Sequence, residues 1–203
     1  MATKPLGLPH PILSSEHFPA LPVDPGTLYR VSSHEDGEPY FGSSGGNRFD
    51  APGCKTGTAE FKTCYLGMSL AVAVAESLLH DEEPVNGEFP IAPETITNLH
   101  VHRFKGDTLH LLPLAGPVLK RSGGSAALAG TGDYGLTQQW ALAVHDNPAN
   151  YDGFIYASRH HNTDLAVVLF DRCQEKIAPA SHTSLAATPG FAKVAEDFGI
   201  VGK

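Results

Sequence analysis

Residues 70–80 read Leu-Ala-Val-Ala-Val-Ala-Glu-Ser-Leu-Leu-His, and this stretch constrains the fold more than any other. Ser69 stands in the place of an N-cap, so a helix is expected over 70–80. At about 100° per residue, Leu70, Val72, Val74, Leu78 and Leu79 cover most of its circumference. A helix apolar nearly all round is buried. Ser69, Ala73, Glu76 and His80 share the remaining narrow stripe. That stripe is either a solvent edge or the wall of a cleft, where a half-buried carboxylate has reason to exist.

Around this helix the periodicity predicts strands over Thr27 to Val31, near Phe61 to Leu66, and over Ile96 to Phe104. Further strands are expected at Thr108 to Leu112, Phe154 to Arg159 and Leu165 to Phe170. Helices are expected from about Leu136 to His145 and from Phe191 to Phe198. The last has Thr188 as N-cap, Pro189 in its first turn and Gly199 as its stop. Strands and helices follow one another without regular βα alternation, which points to an α+β fold and not a doubly wound sheet.

Two segments lack such periodicity. Residues 1–26 hold six prolines and read as an extended arm on the surface or on a partner, leaving 27–203 as the domain proper. Ser122 to Gly135 holds five glycines among small residues and is expected to be mobile, in the manner of a lid. Within it Gly130-Thr131-Gly132-Asp133-Tyr134-Gly135 matches GxGxxG, but it follows no core strand, so a dinucleotide-binding turn is not expected.

Composition removes several function classes. The net charge of -8, from 22 Asp and Glu against 14 Lys and Arg, disfavours direct binding of nucleic acid. No run of about 18 apolar residues offers a membrane span. Prolines occupy the N-terminal place where a signal peptide needs its apolar stretch. Cys54, Cys64 and Cys173 form no CxxC pair, which suits free thiols in a reducing compartment, and a cytoplasmic protein is expected.

Among residues able to carry chemistry, Arg30 and Arg48 each sit in an apolar, strand-like context. A guanidinium there needs an anion, either a carboxylate in an ordinary ion pair or a pyrophosphate that suits its bidentate fork. Ser158 lies in a strand without a GxSxG elbow, so a hydrolase nucleophile is not expected. His100 and His102 share a strand face, and His160-His161 adds two imidazoles. Without HExxH or a cysteine pair, no metal is expected. Asp50, Glu60 and Asp171 are available for acid–base work, but their spacing selects none of them.

Taken together, these pieces resemble the RES family, named for an Arg, a Glu and a Ser, over roughly residues 27 to 172. The landmarks are Leu28-Tyr29-Arg30, Gly46-Asn47-Arg48-Phe49, Cys64-Tyr65-Leu66, Ala75-Glu76, Tyr156-Ala157-Ser158-Arg159 and Leu169-Phe170-Asp171. The resemblance implies an ADP-ribosyltransferase-like split β-sheet with a cleft for NAD⁺, flanked by a few helices. It implies a toxin neutralised by direct contact with an Xre-type antitoxin, with NAD⁺ as substrate and no metal. Carried over by position, Glu76, Arg30 and Ser158 are the catalytic candidates. Arg30, Arg48, Tyr65 and Tyr29 are cofactor-binding candidates, and Asn162 joins them only by its place after the serine strand. The implied reaction is hydrolysis or phosphorolysis of NAD⁺ at the nicotinamide–ribose bond. Transfer of ADP-ribose to a protein target, or the same chemistry in a secreted antibacterial effector, are the alternatives.

Overall fold

The computed structural model describes residues 5–203. The chain opens with a short helix α1 (Ile12–Ser15) and strands β1 (Leu21–Val23) and β2 (Tyr29–Ser32). After a long loop come β3 (Thr63–Gly67), α2 (Leu70–Ala75), β4 (Phe89–Ile91), α3 (Pro93–Thr97), β5 (His100–Gly106) and β6 (Leu109–Pro113). Helices α4 (Gly116–Arg121), α5 (Ala127–Gly130) and α6 (Tyr134–His145) precede β7 (Gly153–Ala157) and β8 (Leu165–Phe170). The chain closes with β9 (Ile177–Ser184), α7 (Phe191–Phe198) and β10 (Ile200–Gly202). Among the described residues no helix is long and apolar enough to cross a membrane.

Eight strands form one mixed sheet in the order β1-β6-β7-β8-β3-β2-β5-β9. Its centre is built from β7 (Gly-Phe-Ile-Tyr-Ala) and β8 (Leu-Ala-Val-Val-Leu-Phe), which are covered on both faces and so read as continuous apolar runs. Their side chains alternate between two cores. Phe154, Tyr156, Val168 and Phe170 meet Phe49 and Trp140 on one face, while Ile155, Val167 and Leu169 meet Leu28, Leu66 and Leu111 on the other. A third cluster gathers Val74, Leu78, Val101, Leu185 and Phe191 around α2 and α7.

The sheet nearly divides between β3 and β2, which share a single register pair, Tyr29 with Gly67. Only glycine fits there. A Cβ on Gly67 would lie 2.7 Å from the Ala73 nitrogen and 2.8 Å from the Ser69 carbonyl, so its absence lets α2 start directly against the strand. The split and the helix start are thus two sides of one close approach. The result is the expected α+β, split-sheet architecture with a cleft.

Several boundaries differ from expectation. Ser69 caps α2, accepting from the Val72 N–H at 3.2 Å, but the helix stops at Ala75 and not at His80. Beyond it the Val74 carbonyl accepts from Ser77, Leu78 and Leu79 together, which tightens the chain into a turn while keeping both leucines buried. Ile96 and Thr97, expected at the start of a strand, instead end α3, with Pro93 at its first turn and Glu94 beside the helix N-terminus. α7 ends at Gly199 in the left-handed region as expected, but its N-cap is Gly190, and the Thr188 hydroxyl donates to the Ser184 carbonyl instead.

Residues 5–23, expected as an arm, are woven into the main core. Leu13 and Phe18 are fully buried, β1 pairs with β6, and the Trp140 indole donates to the Gly7 carbonyl at 2.9 Å. Asn147 donates to the Leu13 and Glu16 carbonyls, and the Tyr151 hydroxyl clasps both backbone groups of Phe18. The prolines break periodicity without preventing burial. The first four residues of the expected arm lie outside the described residues. The glycine-rich stretch 122–135 is likewise organised, holding α5 and the start of α6, whose cap Asp133 accepts from the Leu136 N–H.

Candidate active site

The split between β2 and β3 opens a cavity of about 300 Å³. One wall is β2, with Tyr29, Arg30 and Val31, and the other is β3, with Tyr65 to Gly67. Ala73, Glu76, Ser77 and His80 from α2 and its following turn close one end. The apolar helix's polar stripe therefore faces a cleft, except for Ser69, whose hydroxyl donates to Asp164 at 2.5 Å.

Glu76 is half-buried at the C-terminal edge of α2. Its Oε1 accepts from the Ser158 hydroxyl at 2.5 Å and from the Arg159 N–H at 3.1 Å. Ser158 is 1% exposed and is itself fixed by the His161 N–H, which donates to its oxygen at 3.0 Å. The serine thus orients the carboxylate, leaving Oε2 without a hydrogen-bond partner among the described residues.

Arg30 spans the split. Its Nη1 donates to the Tyr65 carbonyl at 2.9 Å, and its Nε lies 2.6 Å from the buried Glu38 carboxylate. Burial works against the guanidinium's charge, but the Cys64 and Glu38 sites outweigh it and raise its pKa. The Cys64 thiol is pushed up to about 12, chiefly by burial, so at neutral pH Glu38 supplies the effective charge. Burial likewise tends to raise the Glu38 pKa, but the Arg30 guanidinium prevails and holds it below the ordinary carboxylate value of about 4.5. A depressed carboxylate stabilises the fold above its unfolded pKa, and that contribution is lost as pH falls through the folded value. Glu38→Gln is therefore expected to melt below the wild type at pH 7. The gap should close as both are acidified below pH ~4.5 in thermal melts, and a gap constant with pH would remove the ion pair as its cause.

Arg48 is 9% exposed and lines the same cavity as Arg30. Its Nη1 donates to the Thr131 carbonyl, and its guanidinium lies over the Tyr134 ring, 4.8 Å from the centroid. Its Nη2 is buried with no hydrogen-bond partner among the described residues. A buried, unsatisfied cationic donor is costly, and an anion in the cleft would satisfy it. The loop carrying Arg48 is moulded by Asp50, which is 1% exposed and accepts from Ser44, Asn47, Thr63 and Tyr65. Gln138 of α6 secures it from behind through the Gly45 and Asn47 carbonyls.

Tyr65 presents its ring to the cleft while its hydroxyl donates to Asp50 at 3.3 Å and accepts from the Phe49 N–H at 3.0 Å. Burial, then the Asp50 charge, raises its pKa, so it stays a neutral phenol. Tyr29 lines the cavity beneath the Arg103 guanidinium, 3.8 Å from its ring centroid. Asn162 stands apart. It is exposed on the turn after Ser158 and does not line the cavity.

Sequence reasoning missed Glu38, Tyr134 and Tyr156. Tyr134 was hidden in the glycine-rich stretch, although Asp133 before it is a readable helix cap. Tyr156 lines the cleft from β7, its pKa raised by burial and then by Glu76.

A family model described as RES domain matches residues 27–188. No curated protein matches the chain. Among solved structures, the chain is similar to one in the crystal structure of the M. tuberculosis MbcT-MbcA toxin-antitoxin complex. The TM-score is 0.59, over 87% of this chain and 91% of that one, at 13% identity. At that identity the likeness is one of fold.

Proposed function

The chain belongs to the RES-domain family, and on that premise we propose that its cleft binds NAD⁺ and breaks the bond between nicotinamide and ribose. The observation that carries this reading is Glu76. One carboxylate oxygen is pinned by Ser158 and Arg159, and the other is free, at one end of a cleft whose walls hold Arg30 and Arg48.

The chemistry follows from the charges. The nicotinamide–ribose bond breaks through an oxocarbenium-like state, and the pyridinium is already a good leaving group, so no strong acid is needed. A carboxylate beside the ribose stabilises the developing positive charge, which is the role of Glu76. Ser158 donates to Oε1 and so turns Oε2 toward the substrate. Arg30 and Arg48 clamp the pyrophosphate and place the ribose. Tyr65 and Tyr29 offer ring faces to the nicotinamide or the ribose edge. Water or phosphate takes the ADP-ribosyl group, making the enzyme a glycohydrolase or phosphorylase.

In a cell this activity would deplete the cofactor and arrest growth, so the protein would act as a cytoplasmic toxin. A cognate antitoxin of the Xre type would hold it in check. The structural relative comes from a toxin–antitoxin complex, which supports a protein partner of that kind.

Arg48→Lys tests the clamp. Lysine keeps the charge but loses the fork, and a charge-assisted bond to an anion is worth about 1.5–3 kcal/mol. The KM for NAD⁺ should rise by roughly ten- to a hundredfold in steady-state kinetics, with a smaller change in kcat. An unchanged KM would take Arg48 out of the pyrophosphate site.

A further inference from the structure

We propose that Glu76, His80 and His160 bind one zinc-class divalent ion in the cleft, and that this ion inhibits the enzyme by claiming the carboxylate the reaction needs. The binding stands on geometry alone; the inhibition rests on the NAD⁺ reading above.

One donor atom from each of the three residues lies within 4.8 Å of the other two. A tetrahedral zinc ion with bonds of about 2.0–2.1 Å holds its donors about 3.3 Å apart, so the three must close by about 1.5 Å or less. The histidines have room to do so. The His80 side chain is 40% exposed on the turn beyond α2, and His160 is half-buried on the turn after Ser158. Their rings are 4.9 Å apart and tilted at 51°, not stacked face to face.

Two further observations point to a ligand. The His160 Nε2 is buried and makes no hydrogen bond among the described residues, so a lone pair or N–H is left over that no protein group satisfies. Glu76 spends only Oε1 on Ser158 and Arg159, which leaves Oε2 as a single ligand atom of fixed direction. A hydrogen-bonded carboxylate of this kind is how ligating groups are oriented around a metal. Two imidazoles and one carboxylate with an open fourth position suit zinc and its transition-metal neighbours, not magnesium or calcium, which demand a shell of oxygens.

The consequence for catalysis is electrostatic. Glu76 serves by facing a ribose that becomes positive. With a dication on Oε2 the local charge reverses, and the transition state meets repulsion instead of attraction. Arg48 and Arg159, both near His160, disfavour the ion as well, so binding should be reversible by a chelator.

The test is a titration of the full chain, free of NAD⁺, with Zn²⁺ by calorimetry and with Co²⁺ by visible absorption, which reports tetrahedral coordination. One equivalent should bind, Mg²⁺ should not, and His80→Ala and His160→Ala should each weaken binding at least tenfold. In the nicotinamide-release assay Zn²⁺ should lower the rate at least tenfold, with recovery on adding EDTA. No stoichiometric binding, or binding unchanged in both variants, overturns the site. Binding without loss of rate overturns the inhibition. A chain that cleaves no NAD⁺ in metal-free buffer fails the functional reading, and the titration still decides the metal site.

Discussion

Glu76→Gln should lower kcat for nicotinamide release by about 10²–10³-fold while leaving the KM for NAD⁺ near that of the wild type. The substitution keeps the size and shape of the side chain and an oxygen for Ser158, but removes the negative charge. What is lost is therefore an interaction that strengthens as the ribose becomes positive, which appears in kcat. The pyrophosphate is held by Arg30 and Arg48 on other elements, so ground-state binding persists. Circular dichroism and a melting curve matching the wild type would establish that the loss is chemical. A variant with full activity would remove Glu76 from the centre of the mechanism.

Deleting residues 1–20 should abolish cooperative folding, although the family match begins only at residue 27. Leu6, Leu13 and Phe18 are 8%, 0% and 1% exposed within the main core. Burying an apolar side chain contributes about 1.5–3 kcal/mol, so the three together supply roughly 5–9 kcal/mol. Typical domains are stable by only about 5–15 kcal/mol. The deletion also strips partners from the Trp140 indole, the Asn147 amide and the Tyr151 hydroxyl, each a buried donor whose loss of a partner costs about 1–3 kcal/mol. The truncated chain should be insoluble or melt without a sharp transition in calorimetry. A melting temperature equal to that of the full chain would mean that these residues lie on a core complete without them.

These two cases mark where the sequence was readable and where it was not. The strands expected at 154–159 and 165–170 were legible because both faces are buried and the runs are apolar, although the first ends at Ala157 and leaves Ser158 and Arg159 in the turn beyond it. The start of α2 was legible from Ser69, a local signal, but its early end at Ala75 depends on tertiary contacts, including the Ser77 hydroxyl donating to the Val31 carbonyl. β9 was invisible, since Ile-Ala-Pro-Ala-Ser-His-Thr-Ser is an exposed edge strand with no buried face to impose alternation. Tyr29, Arg30, Arg48, Tyr65 and Glu76 were singled out from their contexts and the family resemblance, and they line one cavity. Ser158 meets that cavity through Glu76. Glu38 and Asp50 had no such signal, because a carboxylate in a polar loop reads as solvent-exposed until the fold buries it.

The measurement that tests the central claim most directly is a time course of NAD⁺ with the purified chain, in water and in phosphate, followed by proton NMR. The account predicts free nicotinamide in step with loss of NAD⁺, together with ADP-ribose in water or its 1-phosphate in phosphate buffer. NAD⁺ left intact under both conditions would contradict it.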